Sequence, residues 1–168
     1  MTSCLVLIDL MPRIIGLPLA PHTGEEVLGR CRRLATAFRD AGRPVAAVRV
    51  DRPGVAEQPP GSGFADGVAE AADIVVVKHT VGAFHATDLD ARLRERGVDT
   101  VVMAGLVTTM GVESTARAAS DHGYEIEFAA DAMAGFTAAE HDFAVTHTFP
   151  RFGAVRLSTD YLGATGES

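Results

Sequence analysis

Gly105-Leu-Val-Thr-Thr-Met-Gly-Val-Glu-Ser-Thr-Ala-Arg117 is the stretch on which the fold turns. It reads as the end of a buried strand, a tight polar turn and the first turns of a helix. The apolar run Thr100 to Ala104 supplies the strand. The helix after Gly111 shows a face of small residues, Val112, Thr115, Ala116 and Ala119, and stops at Gly123. In an open α/β sheet such a strand–turn–helix junction is where small molecules bind. No thiol or carboxylate stands where the helix begins; Gly111 occupies the place.

Outward from this stretch, strands alternate with helices. Cys4 to Ile8 is a continuous apolar run closed by Asp9, which suits a strand buried on both faces. Residues 10–22 read as loop, punctuated by Pro12, Gly16, Pro18 and Pro21. Thr23 and Glu26 form a capping box that opens a helix with Val27, Leu28, Leu34, Ala35 and Phe38 near helical spacing, and Gly42 lies past its end. Val45 to Val50 is the second strand, closed by Asp51. The stretch Arg52 to Gly63 reads as a surface loop or lid, with one helical turn from Phe64 to Ala71. Its glycines follow Pro59-Pro60 rather than a strand, so they make no dinucleotide fingerprint. Ile74 to Val77 is the third strand, closed by Lys78. Thr87 caps a helix carrying Leu89 and Leu93, which Gly97 ends. Glu125 to Ala129 is the fifth strand, with Asp131 after it. Thr137 and Glu140 open another helix, which ends before Pro150, and Ala154 to Leu157 is a short last strand. Six alternations predict an α/β fold: a three-layer α/β/α sandwich with a mostly parallel, Rossmann-like sheet of six strands.

The bulk numbers fit one domain over residues 1–168, with 163–168 as a flexible tail. Of 168 residues, 47% are hydrophobic and 22% charged, which suits a full-sized core. A formal net charge of −7 argues against a nucleic-acid partner, which would want a basic face. No apolar run approaches the roughly 20 residues of a membrane helix. The first apolar run is too short, and lacks the basic flank, for a signal peptide. Cys4 and Cys31 are expected as free buried thiols, consistent with a cytoplasmic protein. The six histidines have no zinc-type spacing, so no metal and no cofactor are expected.

The chemistry-bearing residues follow strands. Asp9, Asp51, Lys78 and the Thr108-Thr109 turn all come just after one, and in a parallel sheet those ends share an edge. Asp9 reads either as a catalytic carboxylate or as a turn residue capping the loop. Lys78 reads either as a cation turned into a polar cleft or as a snorkelling surface lysine. The pairing of the two favours the cleft, because each charge lowers the other's desolvation cost. His79 and Phe84 belong to the segment after Lys78 and are further cleft candidates, with Met11 and Asp51. The helix start at Gly111 and Val112 offers backbone N–H groups to an anion or oxyanion. Val107, Thr108 and Thr109 are candidate ligand contacts beside them.

Together, Leu5-Val-Leu-Ile-Asp9, Val77-Lys-His-Thr-Val-Gly-Ala-Phe-His-Ala-Thr-Asp-Leu89 and the opening stretch through Gly123 and Asp131 resemble the isochorismatase-like hydrolases, also called the cysteine hydrolases. The resemblance runs from the first strand to Pro150. It implies a six-stranded mostly parallel sheet, homo-oligomers (dimers or tetramers), and a cis peptide at Val107–Thr108. It also implies an Asp–Lys–Cys triad, which maps onto Asp9, Lys78 and Gly111, so the nucleophile is absent here. True isochorismatases share the glycine and hydrolyse a vinyl ether. By that resemblance Asp9 is the general acid and Lys78 orients or polarises. Met11 departs from the family, which often carries Gln there. The implied function is small-molecule hydrolysis of a vinyl ether or C–N bond without a thiol. The alternative is an inactive member acting as a small-molecule binding or oligomeric structural protein.

Overall fold

The computed structural model describes residues 1–163; the rest of the tail expected from 163 onward lies outside the described residues. Six parallel strands form one sheet, β1 (Thr2–Ile8), β2 (Val45–Val50), β3 (Ile74–Lys78), β4 (Val98–Leu106), β5 (Glu125–Ala134) and β6 (Ala154–Arg156), in spatial order β3-β2-β1-β4-β5-β6. This is the doubly wound arrangement, and the strand order reverses between β1 and β4. The crevice at that reversal is flanked by Asp9 on one side and the Thr108–Val112 turn on the other.

The helices are α1 (Pro12–Ile15), α2 (Gly24–Asp40), α3 (Leu89–Glu95), α4 (Glu113–Asp121) and α5 (Ala138–Phe143). They cover both faces of the sheet, which explains why β1 is apolar without alternation. Leu5 and Leu7 pack with the α2 stripe of Val27, Leu28, Cys31, Leu34 and Phe38. Cys4, Val6 and Ile8 pack on the opposite face, with Leu89 and Leu93 of α3 and Ala116 and Ala119 of α4. The side-chain period of two thus sends neighbours into separate cores. No described helix is long and apolar enough to cross a membrane.

Several boundaries differ from the sequence reading. Residues 12–15 form the short helix α1, with Pro12 in its first turn, where a missing N–H costs nothing. Residues 64–71 make turns and no helix. The cap position of α3 is Asp88, while Thr87 Oγ1 donates to Ala83 O at 2.6 Å. Strand β5 runs to Ala134, five residues further than expected. An irregularity between Met103 and Gly105 on β4 lets the pairing resume from Phe128 to Met133, so Asp131 lies within the strand. Its carboxylate accepts from Ser158 N and Ser158 Oγ, both at 2.6 Å, and fastens the C-terminal turn.

Gly105 makes this sheet possible. Its φ is +115°, and a β-carbon there would meet Ile8 O at 2.2 Å. Only a residue without a side chain permits β1 and β4 to approach so closely while adopting that φ.

Candidate active site

Asp9 follows Ile8 at the end of β1 with φ +50°, in the left-handed region that Asp tolerates better than most residues. Its N–H donates to Val48 O at 2.8 Å, which ties the turn to β2. The residue is 6% exposed. Lys78, the last residue of β3, is 1% exposed and places Nζ 3.2 Å from Asp9 Oδ2. The ammonium also donates to Val81 O, whose loop curls back over it. That loop is held to α4 by Ala83 N–H donating to Thr115 Oγ1 at 3.1 Å. Asp9 Oδ1 is buried with no hydrogen-bond partner among the described residues.

The electrostatics follow from burial. Desolvation pushes the Asp9 carboxyl above the ordinary carboxylate range, outweighing the opposing pull of Lys78 and the weaker one of Arg13. Desolvation likewise lowers the Lys78 ammonium, against the pull of Asp9. The site therefore favours a carboxyl that keeps its proton at a higher pH than an exposed one.

The polar turn begins after β4. The Leu106–Val107 peptide is cis, one bond earlier than the sequence reading placed it. Residues Thr108–Val112 then make a single wide π-helical turn that runs directly into α4. Gly111 packs under the carboxylate: a β-carbon there would stand 2.9 Å from Ile8 Cγ2 and 3.0 Å from Asp9 Oδ2. The Val112 N–H donates to Val107 O at 3.3 Å, so that donor is committed to the turn rather than free for a ligand.

A cleft of about 390 Å³ opens over Asp9, Lys78, Val107 and Gly111, within the range of small-molecule sites. Asp51 lies on its wall, paired with Arg49, and exposed His79 lies at its edge. Two larger surface depressions, of about 550 and 710 Å³, lie beside Arg43 and Asp73 and beside Tyr161 and α2, away from the Asp9–Lys78 pair.

Five residues expected at the cleft or against its ligand do not line it: Met11, Phe84, Thr108, Thr109 and Val112. Met11 is fully buried and does not line the cleft. Phe84 turns into the core and stacks on His122, ring centroids 4.9 Å apart, because its loop folds back against α4. Thr109 is half-buried and also outside the cleft lining. Thr108 is fully buried, and its Oγ1 lies 2.7 Å from His141 Nδ1. His141 was not singled out from the sequence. The available signal was the Thr137 cap, which accepts from Glu140 N and sets His141 on the inward face of α5. Arg13 was also missed, although it lines the cleft. Pro12, three residues after the strand-end Asp9, was its signal, since Pro favours the first turn of a helix.

No thiol serves the site. Cys4 and Cys31 are fully buried in the two cores, and burial pushes the Cys4 thiol up to about 12 and Cys31 higher still. Among the described residues no group of three or more His, Cys, Asp or Glu side chains is placed to hold a metal ion.

The model of the isochorismatase domain matches residues 3–160. The isochorismatase family protein YecD of Escherichia coli O157:H7 is 38% identical, over 97% of this chain and 96% of its own. YwoC of Bacillus subtilis, of the same family, is 34% identical over 95% and 92%. The solved structure of an isochorismatase family protein from Burkholderia thailandensis superposes with a TM-score of 0.83, at 35% identity, covering 95% of this chain and 93% of that one. With a matching domain over nearly its whole length and the same doubly wound sheet, this chain belongs to the isochorismatase family.

Proposed function

We propose that this protein is a small-molecule hydrolase that cleaves a vinyl ether by acid catalysis, with Asp9 as general acid and no covalent intermediate. The observation that carries this reading is the state of Asp9. Its carboxyl is buried, shifted toward the protonated form, and lies in a cleft beside Gly111, which offers no nucleophile. Buried carboxyls that keep a proton near neutral pH suit general acid catalysis.

The residues suggest a division of labour. Lys78 donates to Oδ2, which leaves the unpartnered Oδ1 to carry the proton. Asp9 gives that proton to the terminal enol carbon, and the C=C electron pair forms the new C–H bond. The cation left on the adjacent carbon is shared with the ether oxygen. Water adds there and releases a proton that restores Asp9. The resulting hemiketal expels the alcohol and leaves a carbonyl compound. Lys78 remains in place as the charge that holds the carboxylate after transfer. Replacing Asp9 with Asn removes the acid, and turnover of vinyl ethers should fall by about 10²–10⁴-fold. Unchanged turnover would remove Asp9 from the chemistry.

A further inference from the structure

We infer that the cleft accepts a small molecule bearing a carboxylate on an apolar body, and that Arg13 is the residue that reads the carboxylate. This rests on the proposed function only in placing the ligand beside Asp9.

The charges around the cleft are the first ground. The Lys78 ammonium is held against Asp9, and Arg49 is paired with Asp51. Among the described residues Arg13 has no ion-pair partner, although it lines the cleft and its charge acts on Asp9. Arg52, at the exposed rim, has none either. The cleft is thus left with positive charge to spare.

The second ground is an unmet donor. Arg13 Nε is buried and has no hydrogen-bond partner among the described residues. Buried donors are nearly always satisfied, so an orphan in a cleft calls for an acceptor that arrives from outside. The edge of a guanidinium that includes Nε presents two parallel N–H groups, which match the two oxygens of a carboxylate. The backbone of Arg13 is fixed in place for this. Its N–H donates to Gly61 O at 3.1 Å, and Gly61, at φ +78°, leaves no room for a β-carbon there without crowding Arg13 N at 3.0 Å.

The rest of the lining supplies the other half of the recognition. Ile14, Leu17, Val81, Met110 and Phe136 line the cleft, and the last four are 40–48% exposed. Such walls suit a ring or short alkyl body. Binding also couples to the acid. Arg13 draws the Asp9 carboxyl downward, so a ligand carboxylate that neutralises Arg13 releases that pull and favours protonated Asp9.

Benzoate and its neutral isostere benzamide test this in the full-length protein, by calorimetric titration and by amide chemical-shift changes. Wild type should bind benzoate at least about tenfold more tightly than benzamide. Arg13→Gln should weaken benzoate about ten- to a hundredfold, the scale of a lost charged hydrogen bond, and change benzamide little. Arg13→Lys keeps the charge but loses the fork, and should fall between. The idea is overturned if Arg13→Gln binds benzoate within twofold of wild type, if Arg13→Lys equals wild type, or if wild type does not distinguish the two probes. Asp9→Asn should bind benzoate at least as tightly as wild type. Retained turnover in that variant would overturn the acid mechanism while leaving the benzoate result standing.

Discussion

Asp9 Oδ2 lies so close over Gly111 that a β-carbon on the glycine would stand 3.0 Å from it. The glycine is therefore a packing partner of the acid. Gly111→Cys must push Asp9 or Ile8 aside, and overpacking of this kind costs about 1–3 kcal/mol. Denaturant unfolding should show that loss, and the variant should gain no amidase activity. A variant as stable as wild type with a working thiol would contradict the packing argument.

Lys78 is the main influence holding the Asp9 carboxyl down against burial. Replacing it with Met lifts that influence, so the carboxyl should titrate at still higher pH. NMR titration of the Asp9 carboxyl carbon reads this directly. The sign for stability follows. A carboxyl raised above its unfolded value of about 3.9 contributes stability below that pH, and loses it as pH rises through the folded value. Lys78→Met should move this loss to higher pH. A downward move would contradict the assignment of Lys78 as the group that holds the Asp9 carboxyl down.

His141 is buried against Thr108, and burial lowers its pKa from 6.5, with His22 acting in the same direction and Asp142 opposing. Its contribution to stability is therefore present above about pH 6.5 and lost as pH falls through the lowered folded value. His141→Asn places an amide near the Nδ1 position and cannot gain that charge. The variant should lose about 1 kcal/mol at neutral pH and show a shallower decline in acid. Unfolding midpoints across pH 4–8 check both effects, and an unchanged acid slope would assign the decline to other groups.

Gly105→Ala forces a β-carbon to within 2.2 Å of Ile8 O at a φ of +115°. Neither relief is local, since the clash is with the backbone of the neighbouring strand. Thermal unfolding should show a loss of more than about 3 kcal/mol, or no folded protein. A near-normal melting temperature would mean that β1 and β4 separate more readily than the sheet register implies.

Asp9 and Lys78 were legible in the sequence because each interrupts an aliphatic run, and a charge at that place is either exposed or paired. The sheet was legible for the same reason, since two covered faces demand unbroken apolar strands. Arg13, His141 and the true place of Phe84 were not. Their roles depend on how a loop folds back onto another element, which strand periodicity does not encode. The extension of β5 past Ala129 was hidden by its irregular pairing with β4, where Asp131 looks like a strand-ending acid. The expected free N–H at Val112 failed because the helix begins as a wide turn that uses it.

The most direct measurement is hydrolysis of 2-methoxyacrylate in D2O, followed by NMR, for wild type and Asp9→Asn. Wild type should release methanol and pyruvate carrying one deuterium in its methyl group, with the rate falling as pH rises through the elevated Asp9 value. Asp9→Asn should be at least about a hundredfold slower while remaining folded. No turnover by wild type, or an unchanged rate in Asp9→Asn, would contradict the assignment of Asp9 as the acid.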